Sequence, residues 1–337
     1  MVALVITLGM TPLGHLHAQI TPVAASPPPS SGGFFPLSEV RRGMTATAWT
    51  VFTGSKPERM EIEILGVLRG ARGPGHDMIL AQLHGAKAEY TGVVAGMSGS
   101  PVYIGNRLLG SLSYRIGQFS KDPIAGITPI EQMLEVRDLP IDNVLKASGS
   151  RNQASFPSLA ANSGSGSSAG GMTFQAMDTP LVMSGFQPEA IRLWQQQMAG
   201  TGLEMVAAGG VGGSSEPGSS PDLEPSAAAL ATVVPGSAVS AQLVRGDLEI
   251  AATCTVTYID PKQLLACGHP ILQAGPVSMP MTTAEVVATL ASPLNAFKIV
   301  NTGALIGAFT EDRDSAIRGI LGQKPRMIPV HIAVHSP

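Results

Sequence analysis

The run Gly96-Met97-Ser98-Gly99-Ser100-Pro101 concentrates the chemistry of this sequence. A serine hydroxyl is a poor nucleophile unless it is held exposed on a tight turn beside a base. Glycines on both sides of Ser98 let the chain turn sharply and let a substrate carbonyl approach the backbone. The N–H groups of Gly96 and Ser98 are then placed to receive a developing oxyanion. Pro101 closes the turn and opens a strand, Val102 to Ile104. The nucleophile elbow of α/β-hydrolases is a different pattern, because it has glycine where Ser100 stands.

A nucleophilic serine needs a proton acceptor. Of seven histidines, His15 and His17 lie in the N-terminal apolar region and His331 and His335 near the other end, leaving His76, His84 and His269. His269 follows Leu264-Leu265-Ala266-Cys267-Gly268 and precedes Pro270, so it projects from a strand end into a cleft, where a general base belongs. His84 ends the strand before Ser98 and reads equally as a surface residue. Asp122, Asp312 and Asp314 are the carboxylates that could back the ring, and each also suits a turn or a solvated loop. Cys254 and Cys267 flank the turn Asp260-Pro261-Lys262. They either pair across that hairpin in an oxidising compartment or stand as two small buried side chains. No HExxH, CxxC, P-loop or strand-borne GxGxxG occurs, so nothing calls for a metal, a nucleotide or another cofactor.

The elements that position these residues read as β. Among 337 residues, 39 are Gly and 27 Pro, and only 13% are charged, which excludes a long helical protein. A net charge of -3 without a basic face argues against nucleic-acid binding. Met60 to Leu68, Met78 to Leu83, Val93 to Ala95, Pro101 to Ile104 and Leu108 to Tyr114 form short β-type runs, with Gly105-Asn106 as a hairpin turn. One helix is expected over Pro129 to Val136. Residues 35–138 therefore form one β half, and residues 233–337 the other. Between them, residues 139–232 read as Gly/Ser-rich linkers around a helical insertion at about 173–207, its helix running from Pro188 to a stop at Gly200. Residues 1–18 fit a signal peptide cleaved after Ala18, although no Lys or Arg precedes the apolar run; residues 19–34 are a linker. Met327 to His335 alternates like a strand and suggests that further sequence follows it.

These segments resemble the SpoIVB-type serine peptidases (stage IV sporulation protein B). The first carries that family's GMSGSP motif followed by a strand, a Gly-containing turn and a second strand, SPVYIGNRLLGSLSY here. The second, VRGDLEIAATCTVTYIDPKQLLACGHPI, is similar to the segment holding the family's base. Residues of about 38–135 and 236–322 are covered, just over half the chain. The resemblance implies a mostly β, chymotrypsin-like double β-barrel with its site between the barrels, Ser98 as nucleophile and His269 as general base. It also implies secretion or a periplasmic or cell-envelope location, and a protein or peptide substrate, with membrane or envelope proteins as further partners. Three departures stand out. The base-bearing segment follows the nucleophile here, as in a permuted chain; Leu83-His84 occupies the place of the family's acid; and no peptide-binding PDZ module precedes the barrels. The missing acid leaves two readings, a serine endopeptidase or a catalytically silent relative that binds peptides or scaffolds envelope proteins.

Overall fold

The computed structural model describes residues 26–28, 32–116, 122–141, 168–169, 172–177, 179–197, 203–207, 224–292, 296–333 and 335. The expected signal peptide, and most of the linkers expected at 19–34, 139–172 and 208–232, lie outside the described residues.

The first half begins with β1 (Thr45–Thr50), β2 (Glu58–Leu68) and β3 (Met78–His84), and continues through α1 (Ala86–Thr91) into β4 (Ser100–Ile104), β5 (Arg107–Ile116) and β6 (Ile124–Pro129). These six strands pair antiparallel in the order β1-β2-β3-β6-β5-β4, and β4 returns to β1, which closes a barrel. Its interior is filled by residues from alternate strand positions, among them Ile62, Ile64, Ile79, Leu83, Val102, Leu112 and Ile127. The β4–β5 hairpin turns on Gly105-Asn106, with Gly105 at φ +59°. Helix α2 (Ile130–Arg137) then lies over the barrel.

The second half repeats the plan. Strands β11 (Ala238–Val244), β12 (Glu249–Ile259), β13 (Gln263–Ala266), β14 (Gly275–Leu290), β15 (Phe297–Arg313) and β16 (Ala316–Leu321) close as β11-β12-β13-β16-β15-β14-β11. Numbered within each half, both rings run 1-2-3-6-5-4. The mostly β double barrel expected from the sequence is the observed fold.

Three details differ from expectation. The insertion is as much strand as helix: β8 (Met172–Ala176), which pairs with the short β7 (Ser168–Ala169), extends the first sheet. Strands β9 (Thr179–Ser184) and β10 (Leu203–Ala207) extend the second, joined by helix α3 (Pro188–Gln197) as a parallel crossover. Residues Val93 to Ala95 form no strand, and the preceding α1 had no apolar periodicity to announce it. The C-terminal Met327 to Ala333 is not a strand either, because no neighbouring strand pairs with it; Ile328, Val330 and Ile332 are left exposed.

Candidate functional site between the barrels

Ser98 and His269 occupy equivalent places. Each follows the third strand of its barrel and precedes the fourth: β3 to β4 for Ser98, β13 to β14 for His269. In the first connection two tight turns run head to tail. Met97 N–H donates to Val94 O at 3.0 Å, and Ser100 N–H to Met97 O at 2.9 Å. The third position of each turn is a glycine, Gly96 and Gly99, both at φ +93° as a type II turn requires. The peptide N–H groups inside such turns take no part in closing them. Those of Gly96 and Ser98 make no hydrogen bond among the described residues, which leaves two donors free beside the Ser98 side chain. The neighbouring Gly99 N–H is instead held by Leu112 O at 2.7 Å, which fixes the turn on its own barrel.

The other barrel grips the same turn from outside. On β12, Thr255 N–H donates to Ser98 O at 2.8 Å and Thr255 Oγ1 to Gly96 O at 3.0 Å, while Thr257 Oγ1 donates to Gly99 O at 2.7 Å. The fit admits no side chain at Gly99: a Cβ there would stand 2.0 Å from Thr255 O and 2.5 Å from Cys267 N. In return, Thr128 Oγ1 of the first barrel donates to Gly268 O at 2.7 Å. From Ser98 to His269 the route is two hydrogen bonds, Ser98 O to Thr255 N–H and Thr255 O to Cys267 N–H at 3.2 Å, and two peptide units.

His269 is buried, and its Nδ1 lies 2.7 Å from Pro270 O. A carbonyl can only accept, so Nδ1 carries the proton and Nε2 presents its lone pair, the tautomer a general base needs. A backbone carbonyl thus does the orienting for which the sequence offered carboxylates. Burial pushes the imidazole pKa down to about 4; the Pro270 bond opposes this, Arg72 adds to it, and Asp314 opposes it at longer range. None of the three candidate acids touches the ring. Asp122 is exposed. Asp314 is tied to Arg72 and lies 3.8 Å from His76. Asp312 is buried and accepts the N–H groups of Ile271 and Leu272 at 2.8 Å and of Ala274 at 3.4 Å, so it moulds the loop that follows His269. Burial raises its pKa and those backbone donors pull it back. Cys254 and Cys267 form a disulfide, Cα to Cα 5.2 Å, which ties the strand behind Ser98 to the strand end carrying His269.

Ser98 departs from one expectation. Its exposure is 0%, and its Oγ, like His269 Nε2, is buried with no hydrogen-bond partner among the described residues. The threonines of β12 and the side chain of Lys298 pack on the turn, and the hydroxyl is shut off from solvent. Each such buried polar atom costs about 1–3 kcal/mol. Lys298 itself was missed. A single cation in the apolar run Phe297 to Val300 was its only signal.

Residues 35–134 match the family model described as SpoIVB peptidase S55. Over this stretch the first barrel is similar to the SpoIVB peptidase S55 family. The match supports a serine peptidase function for the chain and covers the whole Ser98 motif, from its approach at α1 to α2. The His269 barrel lies outside it. No curated protein and no solved structure matches the chain. Among the described residues, no three His, Cys, Asp or Glu side chains converge on a metal position, and no helix is long and apolar enough to cross a membrane.

Proposed function

We propose that the protein is an exported serine endopeptidase that acts through an acyl-enzyme at Ser98. The observation that carries this reading is the SpoIVB-family turn, with Ser98 Oγ and the Gly96 and Ser98 N–H groups all left without protein partners. Ser98 Oγ attacks a peptide carbonyl as its proton passes to His269 Nε2, and the two N–H groups hold the oxyanion. The protonated acceptor then gives its proton to the leaving amine, and water repeats the sequence to release the acid. Because the hydroxyl is buried, a peptide gains access only when the barrels part along β12, which makes the resting site a closed one. In this reading the His269 barrel is the family's base-bearing segment, placed after the nucleophile in the chain. Export rests on the apolar N-terminal run, and the substrates are proteins or peptides.

The burial of Ser98 and the absence of a carboxylate on His269 favour one other reading, a silent relative that binds peptides without cutting them. Incubation with an unfolded, fluorescently labelled protein separates the two. The peptidase releases fragments, and Ser98→Ala lowers the rate at least about a thousandfold with an unchanged melting temperature. Peptide capture that survives Ser98→Ala, with no fragments from the wild-type chain, marks the binder.

A further inference from the structure

The seam holds a second basic group. Lys298 stands on β15 next to its start, and its backbone is registered directly on the Ser98 turn: Ala95 N–H donates to Ala296 O at 2.8 Å, Lys298 N–H donates to Ala95 O at 3.1 Å, and Ala95 bridges Phe297. The lysine stem then runs across Gly96. A Cβ at that position would lie 3.3 Å from Lys298 Cδ and 3.5 Å from its Cβ and Cγ, so the stem packs directly against residue 96. The side chain ends with Nζ 2.7 Å from Thr50 Oγ1. Thr50 closes β1, whose pairing with β4 sets Ala48 against Val102; the same register carried on sets Thr50 against Ser100, two positions from Ser98. Lys298 is wholly buried, and among the described residues no carboxylate pairs with it.

A buried ammonium without a counter-ion is strongly disfavoured, and a lysine in that position gives up its proton. Burial brings the Nζ pKa down to about 7, with no charged neighbour contributing. At neutral pH much of the population therefore holds a free amine against the turn that contains Ser98. By contrast, the His269 ring, with its pKa near 4, remains neutral but holds an acquired proton poorly.

We propose that Lys298 is a second proton acceptor for Ser98, its neutral amine lying on the Gly96 side of the turn while His269 lies on the Cys267 side. The proposal rests on Ser98 being the nucleophile and not on the role given to His269. In the resting site Ser98 Oγ bonds to neither group among the described residues, and the pair forms when the Ser98 side chain turns to the Gly96 side as a peptide carbonyl enters. The hydroxyl proton moves to Nζ as Oγ bonds to the carbonyl carbon, giving an ammonium and a tetrahedral oxyanion. The ammonium returns that proton to the departing amine nitrogen as the C–N bond breaks; the regenerated amine takes a proton from the water that attacks the ester and returns it to Ser98 Oγ as the ester C–O bond breaks.

The test is the rate of Ser98 labelling by a fluorophosphonate, followed from pH 5 to 9. With Lys298 as acceptor, the wild-type rate climbs with an apparent pKa near 7. Lys298→Met, which keeps the stem, and Lys298→Arg, which keeps a cation that does not deprotonate, each lose about a hundredfold or more at pH 7.5. His269→Ala leaves the rise near pH 7 in place. A wild-type rate that is flat across this range overturns the proposal even if both variants fail to fold. So does Lys298→Met labelling within threefold of wild type. A folded wild-type chain that never labels overturns the peptidase reading itself, and this proposal falls with it.

Discussion

The two barrels share one strand order, yet their third-to-fourth connections are built for opposite purposes. The first is made of turns with glycine at the pivotal places, leaving N–H donors and a hydroxyl unpartnered. The second is clamped: Asp312 collects the N–H groups of the loop after His269, the disulfide fixes Cys267, and Pro270 O fixes the ring. One connection leaves its polar groups without partners among the described residues, and the other spends them on holding one side chain still. A shared topology therefore places two residues at equivalent points, and the local use of backbone donors decides which is acted upon and which is held.

Breaking the fit between the connections has the largest expected effect. Gly99→Ala drives a methyl into Thr255 O and demands an unfavourable φ, so we expect a loss of about 3 kcal/mol or more, read from chemical denaturation. Removing the clamp by Cys254→Ala with Cys267→Ala, or by reduction, is expected to cost about 3 kcal/mol. A dithiothreitol-dependent melting temperature in the wild type, absent in the double variant, checks it. Asp312→Asn turns one acceptor oxygen into a donor facing the N–H groups it served, and about 2 kcal/mol is the expected loss. That variant sharpens the contrast, because hydrogen exchange should rise at 271–274 and not at 96–100.

The last expected effect is a pH slope, spread over a window instead of read at one pH. The His269 pKa is about 4 in the folded chain against an ordinary 6.5, so between these values the unfolded chain binds more protons. Stability therefore climbs with pH across that window and falls away as the solution is acidified. His269→Leu should flatten this part of the curve relative to wild type.

The barrels were legible because apolar alternation and turn residues are local signals: the runs at Met60 to Leu68 and Leu108 to Tyr114, and the Gly105-Asn106 turn, sit within the observed strands and hairpin. Ser98 and His269 stand out in the sequence as motif residues, and the fold sets each between the third and fourth strands of a barrel. What the sequence could not show is what each side chain meets across the fold. Asp312 looked like an acid for the histidine, but its partners are backbone groups 38 to 41 positions away, which no spacing announces. Lys298 looked like a stray cation in a strand, since its neighbours Thr50 and Gly96 come from the other barrel. The alternation of Met327 to His335 gave a false strand because pairing needs a partner as well as a pattern.

The most direct trial of the central claim is to treat the folded, disulfide-intact protein with a fluorophosphonate and map the adduct by mass spectrometry. We expect the phosphonyl group on Ser98 and no adduct in Ser98→Ala. A folded chain that takes up no phosphonyl group, or takes it at another serine, would contradict the seam between the barrels as a peptidase site.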